Sequence, residues 1–336
     1  MTSKLFSLPA TNSKKVTVVW LLRLAVSAVV LVVLFRTVPI DQVWSDARRL
    51  PPVLWVSALG LFLVGHAAAA AKWRLLIGAG VSFPQALQAH LAGLAANLCL
   101  PGLAGGDVVR AGLVAHRARD ASQLVIGSFA DRLLDILGLV IITVIGAFLA
   151  WRPEQGDHAR LLWWMLAGAA ALVLLFPAAR LLDRVAVPAS PTGRVGRLVV
   201  RAVSATASLA HRPGRLILCL AISMAVQATF VGINIALAAA VHVQAPVAAW
   251  FFAWSAAKIV AIAPISLGGL GVREAVMARL LAPFGAEPAQ VIAIGLIWQS
   301  VLYASGLIGV LAQLVWKPDR EKVSAATSAD VAERSS

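Results

Sequence analysis

The chain has 336 residues, of which 60% are hydrophobic and only 13% charged. Soluble domains carry about 25% charged residues, so water is excluded as the main solvent, and the long apolar runs point to one helical membrane bundle. The formal net charge of +14 does not imply nucleic acid: Arg and Lys cluster in short loops, as cytoplasmic loops of membrane proteins do, and no basic face is interleaved with stacking aromatics.

Residues 1–15 read as a cytoplasmic N-terminal tail, and 16–36 as the first apolar run, behind Lys14 and Lys15. That run is too long for the core of a signal peptide and no small-residue cleavage site closes it, so an uncleaved span is expected. Further spans are expected at 52–72, 121–150, 160–182, 213–241 and 288–316. Each has at least the ~20 residues that cross ~30 Å. Trp20, Trp55, Trp73, Trp151, Trp163, Trp250 and Trp316 lie near the ends, like an interfacial belt. Cys99 and Cys219 lie inside apolar segments and read as small packing residues.

Two regions, 85–116 and 247–282, behave differently. Each is a short apolar arm, a Pro/Gly break and a second short arm. Pro101, Gly105, Gly106, Val109 and Arg110 align at one offset with Pro264, Gly268, Gly269, Val272 and Arg273. The shared pattern P-x-x-x-G-G-x-x-V-R predicts an internal repeat. Its halves run over about 16–150 and 160–316, within one membrane domain, 16–316.

Loop charge chooses the topology. If both regions span fully there are eight crossings, and the basic loop 183–212 faces outward, against the positive-inside rule. If both are re-entrant hairpins there are six, the loop lies inside, and the hairpins enter from opposite faces. The expected fold is therefore an all-α polytopic protein with six full spans and two broken-helix hairpins in an inverted repeat, with eight spans as the alternative. Within the loop, 193–209 reads as an amphipathic helix, equally suited to the leaflet surface or to an ordinary basic loop. The tail 317–336 is polar and expected to be disordered and cytoplasmic.

Charges at the bilayer centre cost ~2.5–3.5 kcal/mol each, so the buried ones are the candidate site. Asp107 and Arg110 follow the Gly105-Gly106 break, where free helix N–H groups and a guanidinium would suit a phosphate; alternatively, the two only neutralise each other. Arg273 and Glu274 follow Gly268-Gly269. Being adjacent, they should point to different sides and seek other partners. Asp131, Arg132 and Asp135 share one long helix. The two acids lie on one face, where they would either share a proton and support coupling or hold Arg132, Arg110 or another helix by ion pairs. Lys258 would neutralise Glu274, meet a lipid phosphate or snorkel to an interface. Asn97 and Gln299 are expected to hydrogen-bond between helices. The six His lack metal-ligand spacing, and no cofactor, metal site or catalytic motif is recognisable.

The segments PGLAGGDVVRAGLVAHR, SFADRLLDILGL and PISLGGLGVREAVMARLL resemble the membrane region of the lysylphosphatidylglycerol synthase family, which also occurs alone as a flippase-like membrane protein. The resemblance covers about 15–316. It implies an inner-membrane protein that moves lipids between leaflets, and its matching positions are the Pro101–Arg110 motif, Asp131-Arg132 with Asp135, and Gly268–Glu274. Full-length synthases carry an aminoacyl-transferring domain after this region. The chain has only a short tail there, so synthase activity is not expected. The expected partners are membrane lipids, in particular an anionic phospholipid. The alternatives are a membrane-embedded lipid-modifying enzyme, or a scaffold that recruits a separately encoded one through 183–212.

Overall fold

A computed structural model describes residues 48, 50–78, 80–99, 104–115, 117, 118, 121–150, 211–262 and 271–315. All regular elements among them are helical: α1 (Pro52–Ile77), α2 (Phe83–Cys99), α3 (Ala104–Val114), α4 (Ala121–Ala150), α5 (Pro213–Ala240), α6 (Val247–Ile262), α7 (Val272–Leu281) and α8 (Pro288–Val315). A 3₁₀ turn, Ala282–Phe284, follows α7. The expected spans 16–36 and 160–182, the loop 183–212 up to Ala210, the tail, and the breaks at Pro101, Pro264, Gly268 and Gly269 lie outside the described residues.

α1, α5 and α8 open on Pro52, Pro213 and Pro288. Proline suits that position because its missing N–H would have no helical partner there and its φ is already helical. α1, α4, α5 and α8 are long and apolar enough to cross a membrane, and the chain is a multi-pass membrane protein. α2 and α6 have 17 and 16 residues, α3 and α7 only 11 and 10. At 1.5 Å per residue the longest of these arms covers about 26 Å and the shortest about 15 Å.

The repeat extends to whole elements. α1, α2, α3 and α4 recur as α5, α6, α7 and α8 at nearly the separation that relates Arg110 to Arg273. The packing repeats as well: α2 lies on α3 and α6 on α7, while α4 runs along α6 and α8 along α2. The glycines at these crossings match. A Cβ on Gly146 would stand 2.5 Å from the Phe252 backbone nitrogen, and one on its counterpart Gly309 would strike the Leu91 carbonyl. The counterparts α1 and α5 run antiparallel. Leu75 accepts from Arg215 at one end, Lys72 bonds Ser223 further along, and Phe62 stacks on Phe230 beyond. Antiparallel counterparts are what an inverted repeat requires.

Lipid is as apolar as a leucine core, so helices here gain from close contact and polar bonds rather than from leaving water. One such contact is aromatic. Phe62, Phe230, Trp254 and Trp298 bring α1, α5, α6 and α8 together, with ring centroids between 5.0 and 6.3 Å apart. Two tryptophans expected in the interfacial belt are core residues instead. Trp73 is 0% and Trp250 1% exposed, because α1 continues to Ile77 and Trp250 lies in the first turn of α6, inside the bundle.

Candidate functional site

α4 carries Asp131 and Asp135 one turn apart on a single face. Lys72 of α1 lies between them, its Nζ 2.9 Å from Asp131 and 2.5 Å from Asp135. Ser223 of α5 closes this corner, accepting from Lys72 at 2.8 Å and donating to Asp135 at 2.7 Å. From α3, Arg110 Nη2 donates to the other oxygen of Asp131 at 2.7 Å. Its guanidinium stacks over the Trp73 ring, 4.7 Å from the centroid. The indole N–H of Trp73 is fixed in turn by Ser128, 2.9 Å away. Arg132 reaches back to bind Asp107 through two nitrogens, one at 2.6 Å.

Three cations, Lys72, Arg110 and Arg132, thus meet three acids, Asp107, Asp131 and Asp135. The two α4 acids hold Arg110, Arg132 and, on another helix, Lys72 by ion pairs. The network also has a direction. The side chains of Lys72, Arg110 and Asp131 are 1–3% exposed, whereas Arg132 is 49% and Asp107 24% exposed. Lys72, Arg110 and Asp131 are sealed between helices, while Asp135, 23% exposed, shares the open side with Arg132 and Asp107.

Arg110 is not fully satisfied. Its Nε lies 3.2 Å from Asp107 but is buried without an aligned hydrogen bond. The amide of Gly106, expected to be free, donates instead to Asn97 at 3.1 Å, so Asn97 bonds between helices as expected. Gly105 lies beside it in the first turn of α3.

The second half differs. Arg273 and Glu274 do pair, at 2.5 Å, contrary to the expectation from their adjacency. At a helix start there is no preceding turn to fix the side chains. Glu274 folds back to accept the Gly271 N–H at 2.8 Å, where Gly271 takes φ +80, and the long Arg273 side chain follows it. Gln299 of α8 accepts from Arg273 at 3.4 Å. Lys258 reaches neither Glu274 nor any other carboxylate among the described residues. It donates to Gln227 at 2.8 Å and lies over the Trp254 and Phe230 rings, 4.8 and 5.2 Å from their centroids.

The structure therefore brings Asp107, Arg110, Asp131, Arg132 and Asp135 into one centre, Arg273 and Glu274 into a second, and Lys258 into a third. Sequence reasoning missed Lys72, Ser223, His66 and His90. Lys72 is the last residue of the expected span 52–72, and five more helical residues place it inside. His66 and His90 are isolated polar residues in apolar arms, which is the signal that would have found them. Their rings bond at 2.9 Å, and His90 lies 3.4 Å from Arg110.

The sequence model of the family described as the lysylphosphatidylglycerol synthase TM region matches residues 20–309. The chain belongs to this family. Membership makes it a membrane protein of lipid metabolism or transport, and the family's matched span contains all three charge centres. No curated protein matches the chain.

Proposed function

We propose that the chain moves a phospholipid or other envelope lipid between the leaflets of the inner membrane, as a flippase-like transporter with both termini cytoplasmic. The observation that carries this is the charge network sealed at Lys72 and open at Arg132, set among helices long enough to cross a membrane. A headgroup crossing bare hydrocarbon loses its hydration with nothing in exchange. Along a row of fixed charges it exchanges water for protein partners while its acyl chains stay in the bilayer. The headgroup phosphate enters at Arg132, competes with Asp107, and meets the unfilled Nε of Arg110. Arg273, at the equivalent position of the antiparallel half, receives it from the other face. Movement is downhill or coupled to protons carried by an acid that the headgroup displaces from its cation.

The test is reconstitution of the purified chain in vesicles holding a headgroup-labelled fluorescent phospholipid, with an impermeant quencher added outside. Wild-type protein should expose inner-leaflet lipid to the quencher, and Arg110→Ala/Arg273→Ala should protect it while inserting normally. Equal quenching by the folded double variant, or protection in wild-type vesicles, overturns the proposal.

A further inference from the structure

We propose that Lys258, His66 and Trp254, around the Phe230 ring, form a three-donor site for a phosphate oxyanion, and that the chain prefers anionic headgroups lacking an amine. The proposal rests on the lipid reading above only in taking that oxyanion to be a headgroup.

Charge points there first. The acids and cations of the first centre are equal in number, and Arg273 matches Glu274. Among the described residues Lys258 is left over, half-buried, with only the neutral Gln227 as hydrogen-bond partner. An ammonium at that depth calls for an anion.

The hydrogen-bond directions agree. Arginine only donates, so His90 Nδ1 accepts the 3.4 Å contact from Arg110. With neutral imidazoles, His90 Nε2 then carries the hydrogen and donates to His66 Nδ1 across 2.9 Å. That leaves His66 Nε2 as an N–H with no partner among the described residues. The His66 ring lies 5.5 Å from Phe230, the ring that Lys258 also covers. Trp254 adds a third donor: it is 1% exposed, and its indole N–H is buried without a partner among the described residues. Three donors around one aromatic cluster, with no carboxylate on Lys258, fit a group that only accepts, such as a phosphodiester.

The same features reject amines. Aromatic faces attract choline and other ammonium groups, but here Lys258 already occupies the Phe230 and Trp254 faces. A headgroup amine would compete for those rings and meet a like charge. An aminoacylated headgroup carries the same defect.

Binding to the full chain in mild detergent, read by thermal shift and native mass spectrometry, tests this with three probes: phosphatidylglycerol, phosphatidylcholine and inorganic phosphate. Phosphatidylglycerol should bind about tenfold or more tighter than phosphatidylcholine. Lys258→Gln should erase that preference and Lys258→Arg should keep most of it. Trp254→Phe, which keeps a ring and loses the N–H, should reduce it by a smaller factor and serves as the reading if Lys258→Gln fails to fold. Competition by inorganic phosphate would show that the site takes the free oxyanion as well; binding without competition would assign it to the lipid headgroup. Equal affinity for the two lipids, or an undiminished preference in both Lys258→Gln and Trp254→Phe, overturns the inference. Selective binding without lipid movement would sink the transport proposal alone, whereas movement without selectivity would sink this one alone.

Discussion

The two halves share their elements and differ in their chemistry. Arg110 and Arg273 are aligned by the repeat, but Arg110 lies in the second turn of α3 and Arg273 in the first turn of α7. Arg110 takes its nearest acid from a distant helix, Asp131 of α4 at 2.7 Å, beside Asp107 of its own helix at 3.2 Å. Arg273 takes its acid from the next residue, Glu274. The α8 positions equivalent to Asp131, Arg132 and Asp135 are Ile294, Gly295 and Trp298. Gly295 is where the second solution becomes possible, since a Cβ there would strike the Glu274 side chain. The repeat thus preserves the cation and the helix crossings while relocating the counter-charge. The matched crossing glycines, Gly146 and Gly309, lie away from the charged positions.

The largest expected contrast comes from neutralising each acid. Asp131→Asn removes the buried acid that Lys72 and Arg110 share, leaving Lys72 only Asp135 and Arg110 only Asp107, and should cost about 5 kcal/mol, near the top of the range for breaking a buried pair. Glu274→Gln strands one cation that keeps Gln299, and should cost about 3 kcal/mol. Melting of the purified variants in detergent measures both, and a reversed order would mean that the second centre is the more sealed.

The crossing glycines should behave alike. Gly146→Ala and Gly309→Ala each push a helix off a neighbouring backbone, and each should cost about 1–3 kcal/mol by the same melting measurement. A large effect from only one would break the equivalence of the halves. Removing Lys258 should matter less for stability: Lys258→Met loses two ring contacts worth about 1 kcal/mol each but also removes an unpaired ammonium. Its melting temperature should move less than that of either glycine variant. Trp55→Phe, which deletes the 2.8 Å bond to Ser300, should be smallest, about 0.6 kcal/mol.

Much of this frame was legible in the sequence because it depends on local pattern. The stretches 121–150, 213–241 and 288–316 match α4, α5 and α8 within a residue, since unbroken apolar runs bounded by Pro or polar residues leave little freedom. The repeat was legible from Pro101–Arg110 and Pro264–Arg273, and the packing extends it. The pairing of charges was not legible. Lys72 lies far from Asp131 along the chain, and only the antiparallel packing of α1 against α4 and α5 brings it there. Lys258 could not be placed for the same reason: Gln227 and Phe230 belong to another helix. Adjacency misled at Arg273-Glu274, where a helix start frees side chains that a helix interior would hold apart.

The halves are useful to a transporter only if their arginine tips face opposite sides, so the most direct measurement is two-sided labelling. Cys99 and Cys219 are first replaced by Ala, and single cysteines are then placed at Ser82, between α1 and α2, and Gln244, between α5 and α6; both are exposed. An impermeant maleimide applied to right-side-out and inside-out vesicles should reach Ser82→Cys only from the cytoplasmic face and Gln244→Cys only from the other. Labelling of both from one face would contradict the inverted arrangement and the two-sided path built on it.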